Sequence, residues 1–174
     1  MTDPIKKSVT VPLDRQSAFE LFTSGIDRWW PKDSHSLAAG DGTGDQAKVR
    51  VEPRTGGHVI ETLPDGSEAP WATVTDWAPG ERFGLRWYVG READEATQVD
   101  IRFTQTEGGT RVDLTHGGFD VLGGEAEKMC ANYTAGWDHV LGRCYAGQCK
   151  VAARRPRTQA TGGGNFWPKR PPNW

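Results

Sequence analysis

Through the middle of the chain, apolar residues fall at every second position. Ala47, Val49 and Val51 alternate with Lys48, Arg50 and Glu52. Phe83, Leu85, Trp87 and Val89 repeat that pattern, as do Val99, Ile101 and Phe103, and then Val112, Leu114 and His116. A period of two is the mark of a strand with one buried face. His58–Thr62 and Trp71–Trp77 read as two further strands across the turn PDGS, where Asp65-Gly66 is a strong hairpin signal. The N-terminal IKKSVTV is another strand, ended by Pro12. Strands that follow one another through short turns form an antiparallel meander, which leaves one face wet and one in need of a cover.

The cover is the segment Glu125–Gln148, where Met129, Tyr133, Trp137, Val140 and Cys144 recur at spacings of three and four. It predicts a helix of roughly 36 Å at 1.5 Å per residue, with acidic Glu125 and Glu127 at its start and Arg143 and Lys150 near its end, as the helix dipole favours. A shorter helix begins at the N-cap Asp14, gathers Ala18, Phe19, Leu21 and Phe22 on one face and stops at Gly25. One more helical turn fits before Pro31, and a single inward ring is expected from the adjacent Trp29 and Trp30 on it. Residues 31–46 hold Pro31, Gly40, Gly42 and Gly44 among polar residues and read as a long loop, disordered or a lid. The expected class is α+β: a curved antiparallel sheet of about six or seven strands wrapped around a long C-terminal helix, with two short helices after the first strand. The domain is expected to span 1–149 and a flexible tail 150–174.

Composition sharpens this picture. Eight Trp, six Phe and three Tyr in 174 residues mean that rings supply much of the buried area, packing a core or lining a cavity. No stretch has the 18 or so apolar residues of a membrane span, and MTDPIKKSV lacks the apolar segment of a secretory signal, so the expected location is the cytoplasm. The three cysteines match no zinc or redox motif and suit a reducing compartment. Cys130 and Cys144, 14 positions apart on one helix, would be about 21 Å from each other, beyond disulfide reach. The tail carries six basic residues and no acidic ones, against a domain near −8. With Phe166, Trp167 and Trp174 among its cations it offers a nucleic-acid reading, to which an uncommitted tail or one folding back on the acidic domain is preferred, with a protein partner as the remaining alternative. A monomer or homodimer is expected.

Several segments, in order, resemble one branch of the START-like (SRPBCC, helix-grip) superfamily. They are GIDRWWP, VEPRTGG, PDG, WATV, RFGLRW, TQVDIRF, GGTRVDLTHGGF and GWDHVLG, spread over Ile5 to Gly147. The branch is that of homologues of the activator of heat shock protein 90 ATPase. The resemblance implies a hollow between sheet and long helix, used by relatives for lipids, polyketides, aromatic natural products or plant hormones. The eukaryotic activator has a further large N-terminal domain, which counts against co-chaperone work for these 174 residues.

The expected function is therefore binding of a small hydrophobic molecule in an internal cavity lined by some of Trp29, Trp30, Trp87, Phe103, Leu114, His116 and Trp137. Trp87 and Trp137 could sandwich a flat guest or stack on one another. His116, inward by alternation, is the best-placed polar group, for orienting a ligand or moving a proton, with a satisfied core histidine as the plainer reading. His35 is expected to be exposed, and His58 and His139 show no metal-ligand spacing, so no metal or cofactor is expected. Glu52 and Glu61 could pair near Arg54, although strand-surface ion pairs explain them as well. Nucleophile motifs and a phosphate-cradling loop are missing. An enzyme on the same scaffold (cyclase, dehydratase or hydrolase of polyketide-like substrates) and a chaperone-interaction module are the alternatives.

Overall fold

Pro12 ends the first strand and the Asp14 carboxylate accepts from the Ser17 backbone N–H at 3.0 Å, so the chain turns directly into a helix. In the computed structural model, which describes residues 2–154, this gives β1 (Ile5–Val11) and α1 (Arg15–Phe22). The meander follows as β2 (Lys48–Val51), β3 (His58–Thr62), β4 (Glu68–Ala78), β5 (Arg82–Trp87), β6 (Thr97–Thr106) and β7 (Gly109–Gly117). All neighbours pair antiparallel in the order β1-β7-β6-β5-β4-β3-β2. Register shifts at Val59/Ile60 and Val74/Asp76 are bulges, which bend a strand and raise its twist. The sheet thereby curls around the C-terminal helices, and the α+β helix-grip expected from the sequence is the observed fold. The basic tail lies outside the described residues beyond Arg154.

The long helix is not uniform. It comprises α2 (Ala126–His139), a π segment (Val140–Tyr145) and α3 (Ala146–Arg154), entered through a 3-10 stretch at Phe119–Glu125. Its inward residues explain the π turn. Met129, Tyr133, Trp137, Leu141, Tyr145 and Cys149 are each four apart, and every four-residue step on an α-helix overshoots a full turn by about 40°. Left uncorrected, the row would spiral away from the sheet. The wider turn takes back part of that drift, so that Leu141, Tyr145 and Cys149 are all buried. The Tyr145 hydroxyl then donates to the Ala18 carbonyl at 2.7 Å and fastens the helix to α1. The helix also continues to Arg154, past the Gln148–Lys150 end expected from composition, because Val151, Ala152 and Ala153 are compatible with helix and the breaking residues start only at Pro156.

The loop after α1 is ordered by polar contacts. Both indoles of the pair are buried, Trp29 at 1% and Trp30 at 4% exposure, where one was expected inward. The reason is that the 3-10 turn Ile26–Arg28 ends at Trp29, so the two rings diverge into one continuous core. Trp29 meets Phe22 and Tyr145, while Trp30 meets Trp71, Trp87 and Trp137. Lys32, 3% exposed, ion-pairs with Asp27 at 2.6 Å, and the same Asp27 oxygen accepts from the Val49 N–H at 2.9 Å. Gly44 passes so close to the Lys32 carbonyl that a Cβ there would collide with it.

Glu61 is the firmest tie. Fully buried on β3, it accepts from the Leu37 N–H (2.7 Å), the Ala38 N–H (3.0 Å) and the Trp71 indole (2.9 Å). Glu52 stands apart from it, bonded to the His58 N–H at 2.9 Å and near Arg50 and Arg54. The two carboxylates are thus not a pair. A buried carboxylate is tolerable only when fully hydrogen-bonded, and its removal strands the donors. Glu61→Ala is expected to lower stability by on the order of 3 kcal/mol in urea melts, with loss of order in residues 31–46 by hydrogen exchange; melts that superimpose on wild type would contradict the clamp.

Candidate functional site

The inward side chains of β5, β7 and α2 meet in a connected polar chain inside an aromatic core. His116 of β7 is 0% exposed. Its Nδ1 accepts from the Trp137 indole at 3.0 Å, which leaves the proton on Nε2. Nε2 donates to Thr97 Oγ1 at 2.7 Å, and that hydroxyl donates to the Trp87 carbonyl at 3.3 Å. Phe119, Tyr133 and Trp137 pack around the ring. Burial depresses the imidazole to a pKa of about 3. Every hydrogen-bonding position of His116 is therefore occupied by protein, and the ring is neutral.

Beside this chain a cavity of 240 Å³ opens between β5, α2 and the loop. Trp30, Trp87 and Trp137 form its inner wall, with Val89, Val140, Tyr133 and Gly136 at the sides and Ser34, His35 and Ser36 at the rim. Trp87 and Trp137 are in mutual contact, with centroids 5.7 Å apart and planes inclined 53°, so no guest lies between them. They present one surface instead. Trp29, Phe103, Leu114 and His116 lie in the surrounding core and do not line the hollow. Two larger hollows, of 690 and 540 Å³, sit away from the sheet-helix interior, at Pro12–Gly25 with Ala152–Ala153 and beside Tyr88–Glu95.

The indole N–H groups of the wall are all spent on protein acceptors. Trp30 donates to the His35 carbonyl (2.7 Å), Trp87 to the Tyr133 hydroxyl (3.1 Å) and Trp137 to His116. The wall therefore offers ring faces without donors. The polar groups that face the cavity are ones that sequence reasoning missed. Tyr133 stands in the periodic row of the long helix, a pattern that marks it as covering surface without distinguishing it as a cavity group. His35 carried no periodic signal, and an exposed position was expected. In the fold it is half-buried, its ring stacked on His139 at 5.4 Å and its Nε2 3.8 Å from where a Cβ on Gly136 would stand.

The electrostatics separate these two groups. Burial, with a smaller contribution from His139, lowers the His35 pKa against the opposing pull of Asp33. Burial raises that of Tyr133, opposed by the Trp87 hydrogen bond and Arg91. Cys144, 3.6 Å from His139 Nε2, is raised by burial and Asp33, and Cys149 is pushed up to about 12 by burial. Neither thiol is an activated nucleophile. Among the described residues, no three His, Cys, Asp or Glu side chains gather as a metal-binding group, and no helix is long and apolar enough to cross a membrane.

A seven-stranded curled sheet gripping a long helix over an aromatic cavity defines a START-like helix-grip protein. Within that class, residues 13–144 match the activator of Hsp90 ATPase homolog 1-like family, and the chain belongs to it. Among solved structures it is similar to Txn09, an anthrahydroquino-γ-pyrone synthase, at 29% identity over 73% of this chain and 84% of that one, with a TM-score of 0.52. It is also similar to CalC, a self-sacrificing resistance protein from Micromonospora echinospora, at 21% identity over 88% and 98% of the two chains and a TM-score of 0.64. The AHSA1-like protein from Aeromonas hydrophila shares 19% identity over 86% and 93%, with a TM-score of 0.58. No curated protein matches the chain.

The buried His116 has a consequence for stability. An unfolded chain protonates this residue below about pH 6.5, whereas the native ring stays neutral until about pH 3. Stability present above the unfolded value is therefore lost as pH falls through that window, by up to about 1.4 kcal/mol per pH unit. The His116→Gln variant is expected to show a shallower fall than wild type between pH 6 and pH 4 in urea melts. Parallel curves would mean that the ring is not held neutral.

Proposed function

We propose that this protein is a receptor for a small, flat, largely aromatic molecule of two or three fused rings. The observation that carries this reading is the 240 Å³ hollow walled by three indoles with no unpaired N–H. Such a surface rewards apolar ring area and penalises a guest whose deep end needs several hydrogen bonds. The volume lies just under the usual range for ligand sites, roughly 300–1,000 Å³, which suits a compact ring system better than an acyl chain. At about 25 cal/mol per Å², covering roughly 250 Å² of such a guest supplies about 6 kcal/mol before the costs of association. The similarity to Txn09, whose name describes an aromatic pyrone synthase, supports a fused-ring guest.

Co-chaperone work through an exposed surface finds less support. Among the described residues the large exposed hydrophobics are Val121 and Val151, on different segments of the molecule, and two separate valines do not make a docking patch.

Gly136 offers a direct test, because a side chain there meets His35 and little else before entering the cavity. Gly136→Leu is expected to abolish quenching of tryptophan fluorescence by 2-naphthol and anthraquinone-type compounds. It should leave the melting temperature equal or higher, since leucine is the better helix former by roughly 0.8 kcal/mol. Absence of saturable quenching in wild type across such a panel would remove the receptor reading.

A further inference from the structure

We propose that Tyr133 and His35 form an acid–base pair across this cavity that enolises a ring-fused ketone held against the indole wall. The proposal rests on the cavity being a small-molecule site and adds to it a reaction and a substrate class.

The hydrogen-bond inventory leads to it. The Tyr133 oxygen accepts from the Trp87 indole, while its own proton has no acceptor among the described residues. The His35 side chain is complementary. Its Nδ1 lies 2.6 Å from Ser34 Oγ, which is 3.4 Å from the Pro31 carbonyl and donates to it. With the imidazole proton on Nδ1 and given to Ser34, the tautomer this contact allows, the Nε2 lone pair has no partner among the described residues. One polar group of the cavity thus has an unspent proton and another an unspent lone pair. Both line the same cavity: Nε2 lies over Gly136, and Tyr133 is three residues earlier on the same face of α2.

Their surroundings suit the roles. Burial and the stacked His139 keep His35 a neutral base at ordinary pH, with Asp33 pulling weakly the other way. Burial keeps Tyr133 protonated, and the indole that donates to its oxygen polarises the O–H further. No carboxylate, lysine, arginine or cysteine lines the cavity to compete.

The step balances without a co-reactant. Nε2 removes a proton from the carbon beside the carbonyl; the C–H pair becomes the new C=C bond. The C=O π pair moves onto oxygen, where the Tyr133 O–H stabilises it by hydrogen bonding. Return of a proton from His35 restores the ketone, with exchange when the imidazolium has first traded its proton with solvent; alternatively Tyr133 gives its proton to release the enol, and the imidazolium proton then passes through solvent to the tyrosinate.

A suitable probe is 2-tetralone in buffered D2O, with loss of its C1 protons followed by 1H NMR and binding followed by tryptophan quenching. Wild type is expected to exchange these protons faster than buffer, with a rate that declines on acidification only below pH 6.5. Tyr133→Phe and His35→Gln are each expected to lose about 100-fold or more of the enzymatic rate while still quenching with 2-tetralone. His58→Gln, on β3 beside Glu52, should keep the full rate. Quenching by 2-tetralone without accelerated exchange overturns the acid–base pair and leaves the receptor reading intact. Equal acceleration by wild type, Tyr133→Phe and His35→Gln assigns the exchange to other groups and overturns it as well. A cavity that takes 2-naphthol but rejects 2-tetralone overturns the ketone as substrate, and failure of both compounds to bind removes the receptor reading with it.

Discussion

The loop that bounds the cavity is held by a buried carboxylate which, among the described residues, has hydrogen-bond donors and no ion-pair partner. Glu61 sits on β3 at 0% exposure and is held by two consecutive backbone N–H groups of the loop and by the Trp71 indole. Charge-assisted bonds to neutral donors are strong and directional, and they bind loop, sheet and ring together at one point. Leu37 and Ala38 cannot move without exposing the charge to an apolar interior. With that point fixed, the chain between Trp30 and Leu37 must arch over the end of the sheet, and the arch is the outer boundary of the hollow. The Lys32–Asp27–Val49 contacts fix its other end in the same way.

The same logic of complete pairing divides the two histidines near the site. His116 has both nitrogens occupied, and its neutrality follows from burial among Phe119, Tyr133 and Trp137. It orients Trp137, and through Thr97 it ties to the β5 backbone at Trp87. One wall indole is thereby held by the imidazole, and that of Trp87 is held by the Tyr133 hydroxyl. His35 lies on the periphery with a nitrogen to spare. Depth in the core is thus a poor guide to chemical availability here, since the interior histidine is consumed by structure and the rim histidine is not.

Period-two alternation identified the strands because the sheet has one buried face, and the three- and four-residue spacing of Met129, Tyr133, Trp137, Val140 and Cys144 identified the helix because that helix is the cover. Trp87 and Trp137 could be nominated on the same grounds, as large rings on inward positions, and Trp30 from its place on the short turn before the loop. Alternation says that a side chain points inward but not whether it meets a neighbour or a void, and so Trp29, Phe103, Leu114 and His116 could not be separated from them in advance. The loop was opaque for another reason. Its conformation is set by contacts with Glu61, Asp27 and Gly136, more than 20 residues away in the first case and about 100 in the last. No local pattern encodes such partners, which is why His35 read as a surface residue. The π segment was legible in principle, since an unbroken row of four-residue steps cannot stay on one face of a straight α-helix.

These constraints also define how a guest can reach the indole wall. The floor is rigid, because Trp87 and Trp137 are bonded into the His116–Thr97 chain and the helix is anchored by Tyr145 to α1. On the loop, Lys32 is tied to Asp27 and Leu37 to Glu61, which leaves residues 33–36 as the span between two fixed posts. The ring contact of that span with the helix is the stack of His35 on His139, worth far less than a buried charge-assisted hydrogen bond. The span is also held to the wall itself, because the Trp30 indole donates to the His35 carbonyl at 2.7 Å. Ser34, His35 and Ser36 belong to this span, so the loop between the two posts supplies the polar groups at the rim of the hollow.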